Sequence, residues 1–197
     1  MEKYLFKIDT TKSTPIRILI ESLKEILTDA NFIITKEGIK LTAMDQTHTV
    51  LIHLNLESEK FESFYCEKPI KIGLNMGNLF KLIKTMSTND NLSLYLEKEN
   101  TNQLNIIIYN DDKNSTTKYK LNLLDLDDDT KDIPEAEFDT ELTMPCSDFQ
   151  KIIRDMANIA DKIDIKSYSN TLSFECVGDF ASQETTIEES GGEDGLV

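Results

Sequence analysis

At 197 residues, with 39% apolar and 29% charged side chains, the chain exceeds one typical domain, falls short of two, and holds enough apolar mass for a real core. Its 36 acidic residues outweigh 21 basic ones, and the net charge of −15 excludes indiscriminate attachment to nucleic acid, whose phosphates would be repelled at long range. No stretch is long and apolar enough to span a membrane, Met1-Glu2-Lys3-Tyr4 has no signal-peptide profile, and Cys66, Cys146 and Cys176 are too few and too scattered for a disulfide frame or a zinc site. The expectation is an intracellular protein whose cysteines are buried apolar fillers.

In chain order, a first strand covers Tyr4 to Asp9. A helix then opens at Ser13-Thr14-Pro15, where a hydroxyl cap and a proline in the first turn suit a helix start. Ile16, Leu19, Ile20, Leu23, Ile26 and Leu27 form its apolar stripe, leaving Arg17, Glu21, Lys24 and Thr28 on the other side. Strands follow at Phe32 to Thr35 and Ile39 to Met44 around the turn Lys36-Glu37-Gly38, then at His48 to Leu56 and Ile70 to Leu74. A second helix, about Met76 to Met86, turns Leu79, Leu82, Ile83 and Met86 inward and Lys81 and Lys84 outward. Leu92, Leu94 and Leu96, then Leu104, Ile106 and Ile108, alternate with polar residues across the turn Glu99 to Asn102, and Thr116 to Leu124 follows.

From Asp125 to Glu141 nine acidic residues stand against one basic, Lys131, so Asp125 to Glu137 reads as a charged linker. A strand at Phe138 to Met144 leads into a third helix with a capping box at Ser147-Asp148-Phe149-Gln150. Phe149, Ile152, Ile153, Met156 and Ile159 point inward there, and Lys151 and Arg154 point outward. Ile163 and Ile165, then Leu172, Phe174 and Cys176, around Ser169-Asn170, supply two last strands before an acidic tail.

The fold class is therefore α+β, with antiparallel sheets outside and helices gathered on one face. A β-α-β-β-β unit occurs twice in a domain 1–124; after the linker 125–137, a third copy makes 138–197 a partial domain. Each helix shows two cations at matching positions. One pair alone is usually a solvated face, but three in register in so acidic a chain mark a surface kept for an anion.

Other chemistry finds little support. Asp125, Asp127 and Asp129 imitate the start of a calcium loop, but Thr130 replaces its glycine and Ala136 its bidentate glutamate. His48 and His53, on one strand, differ in parity and cannot share a metal. No nucleophile–base spacing suggests catalysis. No catalytic residue, metal site or cofactor is expected.

The run from Gly38 to His48, continuing to Phe61, resembles the first signature of the proliferating cell nuclear antigen (PCNA) family of sliding clamps. Three further runs match in order: Tyr65 to Lys68 through Leu79 to Lys84; Leu123 to Asp127 leading to Ile133, Pro134 and Glu135; and Met144 to Phe149 with Arg154-Asp155 and Gly178-Asp179. The resemblance implies a homotrimeric ring around duplex DNA, non-enzymatic, nuclear or at a viral replication site. It would be loaded by a clamp loader and would tether DNA polymerase and other clamp-binding-motif proteins in replication and repair. By position, Arg17, Lys24, Lys81, Lys84, Lys151 and Arg154 match basic lumen positions that bind DNA, while Ile18 stands where a lysine is common. Met44, His48, Leu51, Leu126, Ile133 and Pro134 match the partner-binding groove, with Lys131 in place of an apolar linker residue.

The chain ends at Val197, before the further strands and fourth helix of that family, as a truncated product, a partial gene, or a naturally short paralogue such as a viral one would. That ending keeps two other readings open: an adaptor that binds partners without encircling DNA, and a subunit of a checkpoint-type heterotrimeric clamp.

Overall fold

The computed structural model describes residues 3–127, 140–168 and 171–188. The chain divides into two compact units, Met1–Ile133 and Pro134–Val197. The first contains β1 (Tyr4–Thr10), α1 (Ser13–Ile26), β2 (Asp29–Ile34), β3 (Gly38–Met44), β4 (Leu51–Glu57), β5 (Ser63–Cys66), β6 (Ile70–Asn75), α2 (Met76–Ile83), β7 (Asp90–Glu97), β8 (Asn100–Asn110) and β9 (Ser115–Asn122). The second contains α3 (Cys146–Ala157), β10 (Asp164–Tyr168), β11 (Thr171–Val177) and β12 (Ser182–Glu188).

The first unit's strands form two antiparallel sheets, ordered β5-β1-β7-β8-β9 and β4-β3-β2-β6. Alternation drives this arrangement: Phe6 and Ile8, Leu92 and Leu96, and Leu104, Ile106 and Ile108 turn inward, opposite partners in register. From the helices, Ile20, Leu23, Met76, Leu79 and Ile83 enter the same core, and α1 packs beside α2. Fully burying each such side chain stabilises by about 1.5–3 kcal/mol. Among its described residues the second unit has one antiparallel sheet, β10-β11-β12, on which α3 buries Met156 against Phe174 and Cys176.

Helix ends depart from expectation. Ser13 is no cap: it is the first residue of α1, fully buried, and its Oγ donates to the Ser87 carbonyl at 3.1 Å, tying α1 to the segment after α2. The capping box of α3 does not form either, because Pro145 holds the N-cap position and the Ser147 hydroxyl turns to Asp148 Oδ1 at 3.2 Å. On α2, Asn75 Oδ1 accepts from the Asn78 amide at 2.8 Å, and the helix ends at Ile83, short of Met86, which is nevertheless buried.

Strands differ too. β4 begins at Leu51, because the chain first makes a tight loop in which His48 adopts φ 57°. Thr140 to Met144 form no strand; Thr140 Oγ1 bonds the Ser167 hydroxyl at 2.9 Å, and Leu142 packs on the second core without a backbone ladder. β5 and β12 are additional to the expected strands. Among the cysteines, Cys66 and Cys176 are buried, but Cys146 is exposed at the start of α3.

Candidate functional site

The helical cations fall into two groups. Lys81 on α2 and Lys84 at its C-cap are both exposed, with Lys81 Nζ 3.4 Å from Asn78 Oδ1. Lys151 and Arg154 are exposed on α3, in the other unit. On α1, Arg17 and Lys24 are largely covered. An Arg17 guanidinium nitrogen lies 3.4 Å from Glu21 Oε2, and Lys24 pairs with Glu25 while its Nζ sits 4.8 Å over the Phe80 ring of α2. Ile18 is 51% exposed on that helix.

A groove of about 340 Å³ in the first unit gathers Met44, His48 and Leu51 from the β3–β4 hairpin with Leu126 from the chain after β9. Sequence reasoning missed the rest of its wall, notably Asn31 and Ile33 on β2, Thr42 on β3, Lys71 on β6, and Asp127. Parity was the available signal: Phe32 and Ile34 point inward, so Asn31 and Ile33 must point out. Ile133 and Pro134, expected in the same groove, lie outside the described residues, as does Lys131.

Two devices shape this groove. Leu124 bridges back to Gly73 on the open edge of β6, its amide donating to the Gly73 carbonyl at 2.9 Å, and the Asn31 side-chain amide donates to the Asp127 carbonyl at 3.1 Å. Only a glycine permits this approach: a Cβ at 73 would lie 2.4 Å from the Leu124 carbonyl oxygen and 3.1 Å from Leu126 Cγ. On the opposite wall, Asp45 organises the loop that carries His48. Its Oδ1 accepts from the Thr49 and Val50 amides, both at 2.8 Å, and its Oδ2 from the Thr47 amide and hydroxyl. The Thr47 hydroxyl and these amides hold the Asp45 carboxyl down to about 2. The result is a shallow trough with apolar patches on both sides and polar groups at its rim, suited to an extended peptide with apolar anchors.

Comparison with known proteins follows the same division. The family model described as "Proliferating cell nuclear antigen, N-terminal domain" matches residues 5–132, and "Proliferating cell nuclear antigen, C-terminal domain" matches residues 132–194. A probable DNA polymerase sliding clamp of Paramecium bursaria Chlorella virus 1 is 36% identical over 193 residues, 96% of this chain and 74% of the viral protein. Proliferating cell nuclear antigen of Chaetomium thermophilum is 28% identical, over 87% of this chain and 66% of its own length. Among solved structures, that of proliferating cellular nuclear antigen from Entamoeba histolytica superposes with a TM-score of 0.85 at 28% identity, covering 94% of this chain and 74% of its own.

Proposed function

The chain belongs to the proliferating cell nuclear antigen family, and from that premise we propose that it works as a DNA sliding clamp, a processivity factor that keeps DNA polymerase on its template. The observation that carries this reading is the match to both domain models of the family, in order and along nearly the whole chain. A clamp of this kind makes no bond and breaks none. It lends another enzyme a long residence on DNA, and it slides because contacts to phosphate carry no base information. These matches favour a clamp over a non-encircling adaptor or a checkpoint-type subunit.

In this proposal Lys81, Lys84, Lys151 and Arg154 face the duplex, with Arg17 and Lys24 beside them. The acidic remainder of the surface keeps DNA in the ring. The Met44, His48, Leu51 and Leu126 groove takes the clamp-binding motifs of polymerase, clamp loader and repair proteins, with Ile133 and Pro134 extending it. The protein acts at sites of DNA replication, nuclear or viral.

Ring closure as a homotrimer is supported by two strand edges. Among the described residues, β9 is at the edge of its sheet with Lys118 and Lys120 exposed, and β12 is at the edge of its own with Glu184 and Glu188 exposed. Pairing β9 of one copy with β12 of the next would satisfy both backbones and bring opposite charges together. Sedimentation equilibrium should give a trimer, and loaded protein should lengthen the products of its cognate polymerase on primed circular DNA. A monomer that leaves product length unchanged with any loader would overturn the reading.

A further inference from the structure

The four charges of α1 are arranged differently from those of the other helices. Arg17 and Lys24 have side chains only 27% and 22% exposed, whereas Glu21 and Glu25 are 48% and 70% exposed. The outermost charges of this helix are therefore carboxylates. Its cations lie behind them, Arg17 against Glu21 one turn on and Lys24 along the Phe80 ring of α2. By contrast, α2 has no acidic residue. Among the described residues, none of Lys81, Lys84, Lys151 and Arg154 has a carboxylate at ion-pair distance.

The Arg17 pair is also incompletely made. At 3.4 Å it is long for a charge-assisted hydrogen bond, and the Arg17 Nε is buried with no hydrogen-bond partner. The guanidinium therefore keeps unused donors, and a partly exposed pair of this kind holds only weakly.

We propose that α1 carries a built-in brake on the DNA grip: Glu21 and Glu25 occupy Arg17 and Lys24, so that phosphate is held mainly by α2 and α3 and the ring stays loose enough to slide. This rests on the clamp reading and adds regulation to it. A phosphate nearing α1 meets the two carboxylates and Ile18 first. Neutralising them frees two cations already beside the duplex-facing Lys81 and Lys84.

The test is the salt dependence of binding to a short linear duplex, read by fluorescence anisotropy on the full chain. Glutamine keeps the length and helix preference of glutamate, so Glu21→Gln/Glu25→Gln should fold normally. It should tighten binding and steepen the log–log salt slope by up to about 1.8, from two added phosphate contacts at about 0.9 each. Arg17→Gln/Lys24→Gln, added to the glutamate changes, should abolish the gain and return the slope to that of the parent. If the gain persists in that combination, the effect is one of net charge and the brake is wrong. It is equally wrong if Arg17→Gln/Lys24→Gln weakens the parent as much as Lys81→Ala/Lys84→Ala does. Should Lys81→Ala/Lys84→Ala itself leave affinity and slope unchanged, the failure belongs to the duplex-facing assignment instead.

Discussion

The two units share a plan of a helix followed by antiparallel strands, yet they are stabilised very differently. The first draws buried side chains from two sheets and two helices; among the described residues the second fully buries only Met156, Phe174 and Cys176 of its apolar set. The reason lies in what flanks the repeated element. In the first unit β2 has β3 on one side and β6 on the other, and α1 has α2 beside it; in the second, among the described residues, β10 has β11 alone. Ile165 shows the consequence. It lies in register opposite the buried Phe174, yet it is 58% exposed, and Val177 and Phe180 reach 80% and 78%. Helix and strand pattern is a local property, whereas a core needs neighbours on every side.

The largest expected effect that sharpens this contrast is Phe174→Ala. Such a truncation costs about 3–5 kcal/mol, comparable with all that so small a core can supply. Hydrogen exchange read by mass spectrometry should then show β10, β11 and β12 losing protection while β1 to β9 keep theirs. Loss across both units would break the comparison and show one cooperative block.

Next comes Gly73→Ala, in the better-packed unit. The added methyl must push Leu124 away from β6, an overpacking cost of about 1–3 kcal/mol. Titration calorimetry with a clamp-binding-motif peptide should also show weaker binding, since Leu126 moves with Leu124. Unchanged affinity would separate the groove from this bridge. Smaller effects are expected at the helix starts: Asn75→Ala should cost about 1 kcal/mol in chemical denaturation, and Ser147→Ala no more than about 0.5. Equal losses would restore the capping box to α3.

The smallest effects are those of pH, and they run in opposite directions. The Asp45 carboxyl titrates at about 2, below its usual 3.8, so the loop it organises gains stability that is fully present above the usual value and is lost as pH falls through about 2. Amide shifts of Thr47, Thr49 and Val50 should follow that midpoint. In the second unit the Glu175 carboxylate raises Lys166 above 10.5, so its contribution is complete below that pH and disappears as pH rises through the higher folded value. A loop transition near the ordinary aspartate value would contradict the hydrogen-bond account of Asp45.

Much of this architecture was legible in the residues. The helical stripe of α1, the alternation in β7 and β8 and the outward lysines of α2 are strong periodic signals, and they appear where periodicity puts them except at Ile26, which is 41% exposed at the last residue of α1. β5 went unread because four residues are too few to show a period, and β12 because its inward face is Gln183, Thr185 and Ile187, only one of them apolar. Ser13 and Ser147 misled for a different reason: a hydroxyl before a helix suits capping, but its partner is chosen by tertiary neighbours such as Ser87. A third of the groove's lining was visible from Met44, His48, Leu51 and Leu126, while the wall formed by β2 and β6 depends on strand order, which no local pattern encodes. Pairing between Arg17 and Glu21 could be read from their spacing; that Lys24 would lie over Phe80 could not.

Gly73 gives the groove an unusual kind of adjustability. The groove is lined by side chains, but the place of Leu126 in it depends on a residue with no side chain, through the Gly73–Leu124 bridge. A change at 73 would shift where Leu126 stands in the groove without replacing any side chain that lines it. Affinity for all comers could thus shift together, leaving their order of preference intact.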